Sequence, residues 1–108
     1  MQRFVGDITI EDIIKNKINF ILNNNIFDEK EYKLYNKGEI SSYNEMLKDI
    51  RTILLNDFIE KYLNIFKNNN IKIERSDDEG QKENMIGYNN AIISVLELID
   101  PIYSYCDL

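Results

Sequence analysis

The chain has no histidine and no tryptophan, and only one cysteine, one proline and four glycines. Without histidine it lacks the usual general base at neutral pH and the commonest protein ligand of transition metals. Cys106 stands alone, so no internal disulfide can form, and nothing of the histidine type is present to activate its thiol. That cysteine usage fits a reducing compartment. The glycines are scattered and make no phosphate-cradling loop. No apolar run approaches the roughly 20 residues that a membrane-spanning helix requires. Residues 1–7 lack the apolar centre of a signal peptide, so cytoplasm is the expected location. Clusters of lysine and arginine are missing too. Thirteen basic residues face nineteen acidic ones, a net charge of −6, which argues against direct nucleic-acid binding. An acidic balance of that size serves solubility or meets a basic partner surface.

What is present is helical periodicity. A hydrophobic fraction of 44% and a charged fraction of 30% are ordinary for a folded domain, and 108 residues suffice for one modest core. Thr9-x-x-Asp12 has the form of a helix start, and Ile10, Ile13, Ile14, Ile18, Ile21 and Leu22 continue one apolar face up to the asparagines 23–25. A short helix is expected over 29–36, with Gly38 as its stop. The longest signal follows. Ser42-x-x-Glu45 has the form of a capping box, and Tyr43, Met46, Leu47, Ile50, Ile53, Leu54, Phe58, Tyr62 and Ile65 recur behind it at helical spacing. A second line, Leu55, Ile59, Leu63 and Phe66, widens the stripe, so a long central helix over 42–68 packed on at least two sides is expected. The asparagines 68–70 end it. A last helix is expected over 83–100, with Met85, Tyr88, Ile92, Val95, Leu96 and Ile99 inward and Asn89 and Asn90 outward, ending before Pro101.

The fold expected is therefore all-α: a single-domain bundle of three main helices plus one short helix around the central helix 42–68. Residues 7–10 and 71–74 both alternate apolar and polar, which admits a minor two-stranded ribbon between them. Residues 42–54 and 87–99 also match in apolar spacing and share a Tyr-Asn pair, at Tyr43-Asn44 and Tyr88-Asn89.

Paired carboxylates at helical spacing, such as Glu45 and Asp49, are common on solvated faces, so no enzyme activity is expected. Residues 77–80 lack the alternating ligands of a calcium loop, and no metal or organic cofactor is expected. The polar-aromatic residues are more informative. Tyrosine is enriched at interface hot spots, and Tyr32, Tyr35, Tyr103 and Tyr105 fall near helix ends. With the acidic run Asp77, Asp78, Glu79 and Glu83 and the flanking pair Ile86 and Ile93, they form the candidate partner-binding set. Tyr43 and Tyr88 share the core spacing and are read as core.

Two strings carry a family likeness: Gly87-Tyr88-Asn89-Asn90-Ala91-Ile92-Ile93-Ser94-Val95-Leu96-Glu97-Leu98-Ile99 and Tyr35-Asn36-Lys37-Gly38-Glu39-Ile40-Ser41-Ser42-Tyr43. They resemble segments of small helical phage and prophage proteins. Isoleucine, asparagine and lysine, all with AT-rich codons, are abundant, in keeping with such a source. The resemblance implies a mobile-element origin and a stoichiometric inhibitor of the anti-CRISPR type, which blocks a bacterial defence nuclease. An immunity or antitoxin-like protein neutralising a toxin, and a self-associating assembly protein that could form a homodimer, are the alternatives. The partner expected in the first case is a protein, with a basic nucleic-acid-binding effector the best fit to the acidic run.

Overall fold

The computed structural model describes residues 4–5, 8–23, 30–100 and 102, with side chains for 9–23, 33–100 and 102. Among these the protein is a helical bundle of four helices: α1 (Ile10–Asn23), α2 (Lys30–Ile50), α3 (Leu55–Arg75) and α4 (Glu79–Ile99). None of them is long and apolar enough to cross a membrane.

The first helix starts where the sequence indicates. Thr9 Oγ1 accepts the Asp12 amide at 3.1 Å, satisfying one of the donors that a helix start leaves orphaned. Ile10 and Ile14 are its buried residues. The expected ribbon is not supported, because Ile71, Lys72, Ile73 and Glu74 belong to the closing turns of α3. The N-terminal partner segment contributes only a two-residue antiparallel bridge, Phe4–Val5 with Ile8–Thr9.

The expected central helix is in fact two. The chain leaves helical geometry after Ile50 and re-enters it at Leu55, with Leu54 extended at φ −66° and ψ 150°. No glycine or proline marks the break. Two local features make it: the Thr52 hydroxyl turns back onto the Lys48 and Asp49 carbonyls at 3.3 and 3.4 Å, and the Thr52 and Ile53 amides both close onto Asp49 O. Across the turn, Lys61 Nζ and the Tyr62 hydroxyl donate to Asp49 Oδ2 at 2.5 and 2.6 Å. In an uninterrupted helix those twelve residues would separate the groups by roughly 18 Å along the axis. The wide stripe thus splits between two helices, Met46 and Ile50 on α2 and Phe58 and Tyr62 on α3. Phe58 is fully buried, whereas Leu54, expected in the same core, is 60% exposed on the turn.

Gly38 does not stop a helix either, and Ser42 does not start one. α2 runs through both, absorbing the short helix expected at 29–36. Glycine inside a helix costs about 1 kcal/mol relative to alanine, so its place there needs a reason. The reason is α4. A Cβ on Gly38 would lie 1.9 Å from Asn84 O, and one on Gly87 would lie 2.0 Å from Tyr35 O. The two helices touch backbone to backbone at a reciprocal pair of glycines, a crossing that only hydrogen at Cα permits. Ser42 and Ala91, four residues further along each helix, are fully buried and continue the small-residue stripe. Asn84 Nδ2 donates to Leu34 O at 3.2 Å and Asn90 Nδ2 to Glu39 Oε2 at 3.2 Å, so α2 and α4 run parallel.

α3 returns antiparallel between them in sequence and is fastened to α4 by Asn89. That residue is 5% exposed, not on a polar outer face as its spacing indicates. Its Nδ2 donates to Phe66 O at 3.1 Å and to Asn70 Oδ1 at 3.0 Å, while its Oδ1 accepts from Asn69 Nδ2 at 3.0 Å. The asparagines expected to end the central helix are therefore mid-helix grips, and α3 continues to Arg75. α4 contributes Gly87, Asn89, Ala91, Ile92, Val95 and Leu96 to the interior. α2 and α3 both pack on α4, while α1 packs mainly on α2, so the 42–68 segment is not the single centre of the fold.

Candidate functional site

Among the described residues, depressions open at the α3–α4 turn and between α1 and α2. The larger, about 890 Å³, lies where α3 turns into α4 beside the start of α2. Its local architecture begins with the turn. Ser76 leaves helical geometry, its hydroxyl accepts the Asp78 amide at 3.1 Å, and Asp78 caps α4 by accepting the Gln81 amide at 3.1 Å. Short polar side chains that bond to nearby backbone stop one helix and start the next. Glu79 in the first turn of α4 suits the positive end of its dipole and pairs with Lys82 at 3.8 Å. The acidic run is therefore turn at Asp77 and Asp78, and helix from Glu79 onward.

This turn faces an apolar floor. Leu34, Ile71 and Met85 line the groove together with Lys72, Arg75, Asp77, Asp78 and Gly80. Ile71 is 47% and Leu34 40% exposed, and both face the same concavity. Among the described residues Lys72, Arg75 and Asp77 are in no ion pair, so both signs of charge stand free at the rim. A concave apolar floor with a few charged groups around it is the form that binding sites take.

Of the residues singled out from sequence, Asp77 and Asp78 line this groove. Glu79 sits beside them, exposed. Glu83 lies further along α4 and is half-buried; its charge and that of Glu39 act on Tyr35. Tyr35 belongs to the glycine crossing, where burial first and these carboxylates second push its hydroxyl above the ordinary tyrosine value. Ile86 is exposed and Ile93 half-buried on α4. Tyr32 lies on α2, and Tyr103 and Tyr105 fall outside the described residues. Leu34, Ile71, Lys72, Arg75 and Met85 were missed. Ile71 does carry a signal, being an apolar residue between Asn70 and Lys72.

The smaller depression, about 430 Å³, separates α1 from α2 and is lined by Ile13, Asn16, Lys17, Phe20, Ile21, Asn36, Glu39 and Tyr43. Its half-buried Glu39 carboxyl is pushed up by burial, against the opposing pull of its hydrogen bond from Asn90 and the charge of Lys17. Tyr43 is pushed up to about 12 by burial, against a hydrogen bond with Ser94.

The paired carboxylates of α2 are both engaged in holding helices. Glu45 accepts the Tyr88 hydroxyl of α4, and Asp49 accepts Lys61 and Tyr62 of α3. Burial works to raise Asp49, but the bonds from Lys61 and Tyr62 outweigh it and hold the carboxyl below its ordinary value. Among the described residues no cluster of three or more histidine, cysteine, aspartate or glutamate side chains could hold a metal ion. Compared with family models, with curated proteins and with solved structures, the chain matches none.

Proposed function

We propose that this protein is a non-enzymatic binding module that grips a partner protein in the groove at the α3–α4 turn. The observation that carries the reading is the groove itself: Leu34, Ile71 and Met85 present apolar surface in a concavity of about 890 Å³, rimmed by Lys72, Arg75 and Asp77, which are in no ion pair among the described residues. Side chains that stay apolar and half-exposed in a concave site favour an occupant that brings its own apolar anchor. The free Asp77 carboxylate on the rim adds attraction for a basic residue beside that anchor and speeds encounter with a basic surface. Within the bacterial cytoplasm, the partner that suits these features is a basic nucleic-acid-binding effector, and the role that suits such a partner is inhibition of the anti-CRISPR kind. Lys72 and Arg75 on the same rim make the contact mixed in sign, so the protein does not act as a mimic of nucleic acid.

The test is affinity capture from lysates of bacteria carrying defence systems, comparing the wild-type protein with Ile71→Asp and Asp77→Lys. The expected result is a stoichiometric basic protein retained by the wild type, released by added salt, weakened by Asp77→Lys and lost with Ile71→Asp. The same retained set with Ile71→Asp refutes the groove. Recovery of a toxin, or only of further copies of the bait, replaces the inhibitor reading with neutralisation of a toxin or with self-assembly.

A further inference from the structure

The cleft between α1 and α2 plays no part in the α3–α4 groove and holds a different combination of groups. Its walls are Ile13, Asn16, Phe20 and Ile21 from α1 and Asn36 and Tyr43 from α2. Phe20 is 58% exposed at the mouth. The same cleft is lined by one carboxylate, Glu39, and one ammonium, Lys17. The two feel each other's charge, yet they form no direct ion pair. Asn90 Nδ2 donates to Glu39 Oε2 at 3.2 Å and is the carboxylate's hydrogen bond within the bundle, fixing it from the α4 side.

An anion and a cation that line one cleft without meeting leave room for a ligand carrying the complementary pair of charges. The volume of about 430 Å³ lies in the range of small-molecule sites. We propose that the α1–α2 cleft binds a free α-amino acid with an apolar side chain. Its ammonium meets Glu39, its carboxylate meets Lys17, and its side chain lies among Ile13, Phe20, Ile21 and Tyr43. Each charge enters a half-buried site where the protein already holds the opposite charge, so the desolvation of both partners is compensated by charge-assisted hydrogen bonds. A residue within a peptide lacks one or both of these charges, which selects the free amino acid.

The test is a titration of the isotope-labelled protein, followed by amide chemical shifts, with L-phenylalanine, phenethylamine and 3-phenylpropionate as probes. The expected result is saturable shifts in the millimolar range or tighter with phenylalanine, centred on Ile13, Lys17, Phe20, Glu39 and Tyr43. Each probe that lacks one charge binds about tenfold or more weakly. Glu39→Gln keeps an acceptor for Asn90 and so keeps the fold; it weakens phenylalanine by a similar factor while leaving 3-phenylpropionate unaffected. Lys17→Met weakens phenylalanine and leaves phenethylamine unaffected. Unsaturable shifts with phenylalanine overturn the proposal. So does equal binding of phenylalanine and phenethylamine, or affinity unchanged by both substitutions.

Discussion

α2 meets α4 and α1 in opposite ways. Toward α4 it presents Gly38 and the small Ser42, and the backbones come into contact. Toward α1 it presents Asn36, Glu39 and Tyr43 against Ile13, Lys17, Phe20 and Ile21, and the helices stand apart around a cleft of about 430 Å³. The same helix thus makes one seam that excludes everything and another that leaves space. Side-chain size at the positions facing the neighbour decides which. Packing without voids fixes a unique geometry, whereas a seam of long side chains with unpaired charges keeps surface for another molecule.

The contrast can be broken first at the glycines. Gly87→Ala, whose added carbon would lie 2.0 Å from the Tyr35 carbonyl oxygen, is expected to cost about 3 kcal/mol or more in urea denaturation, since backbone cannot step aside. Gly80→Ala is the control. Its added carbon would meet the end of the Leu34 side chain at 3.0 Å, which can move, so a change within about 1 kcal/mol is expected.

Next comes the polar clamp between α3 and α4. Asn89→Leu removes the bonds its amide makes to Asn69, Asn70 and Phe66 O, and a loss of about 1–3 kcal/mol is expected by the same measurement.

Alkaline pH reaches several tyrosines together. Tyr43, Tyr62 and Tyr88 are all raised above the ordinary 10.0, by burial first, with Tyr62 and Tyr88 further held neutral by bonds to Asp49 and Glu45. Groups with raised folded values contribute stability that is complete below the unfolded value and is lost as pH climbs through the folded one. Urea midpoints should therefore hold from neutral pH up to about 10.0 and fall beyond it. Tyr43→Phe should reduce that fall.

The smallest effect sharpens the tight seam. Ser42 Oγ is buried with no hydrogen-bond partner among the described residues, so the position needs small size more than the hydroxyl. Ser42→Ala, matching Ala91 on the facing helix, should leave stability within about 0.5 kcal/mol of wild type or raise it.

The helical class was legible because apolar periodicity is a property of local sequence, and α1 and the end of α4 fell where caps and Pro101 indicate. The break at residues 51–54 was not legible, because the periodicity passes through it without a glycine or proline. It is set by Asp49 reaching Lys61 and Tyr62, a contact that exists only once the chain has turned. Gly38 misled for the opposite reason: a glycine at a helix stop and one at a helix crossing look alike until the neighbour is known. Asn89 was misplaced because an amide whose three partners all lie on α3 behaves as a core residue. The acidic half of the groove at the α3–α4 turn could be read from Asp77 and Asp78. Its apolar floor could not, since Leu34, Ile71 and Met85 come from three helices.

The central claim is that α2 and α4 meet backbone to backbone, and proton–proton nuclear Overhauser contacts test it directly. With Gly87 against the Tyr35 backbone and Gly38 against the Tyr88 amide nitrogen, strong cross-peaks are expected between Gly87 Hα and Tyr35 Hα and between Gly38 Hα and the Tyr88 amide proton. Assigned spectra in which both cross-peaks are missing would contradict the crossing, and with it the pairing of α2 with α4 that holds the bundle together.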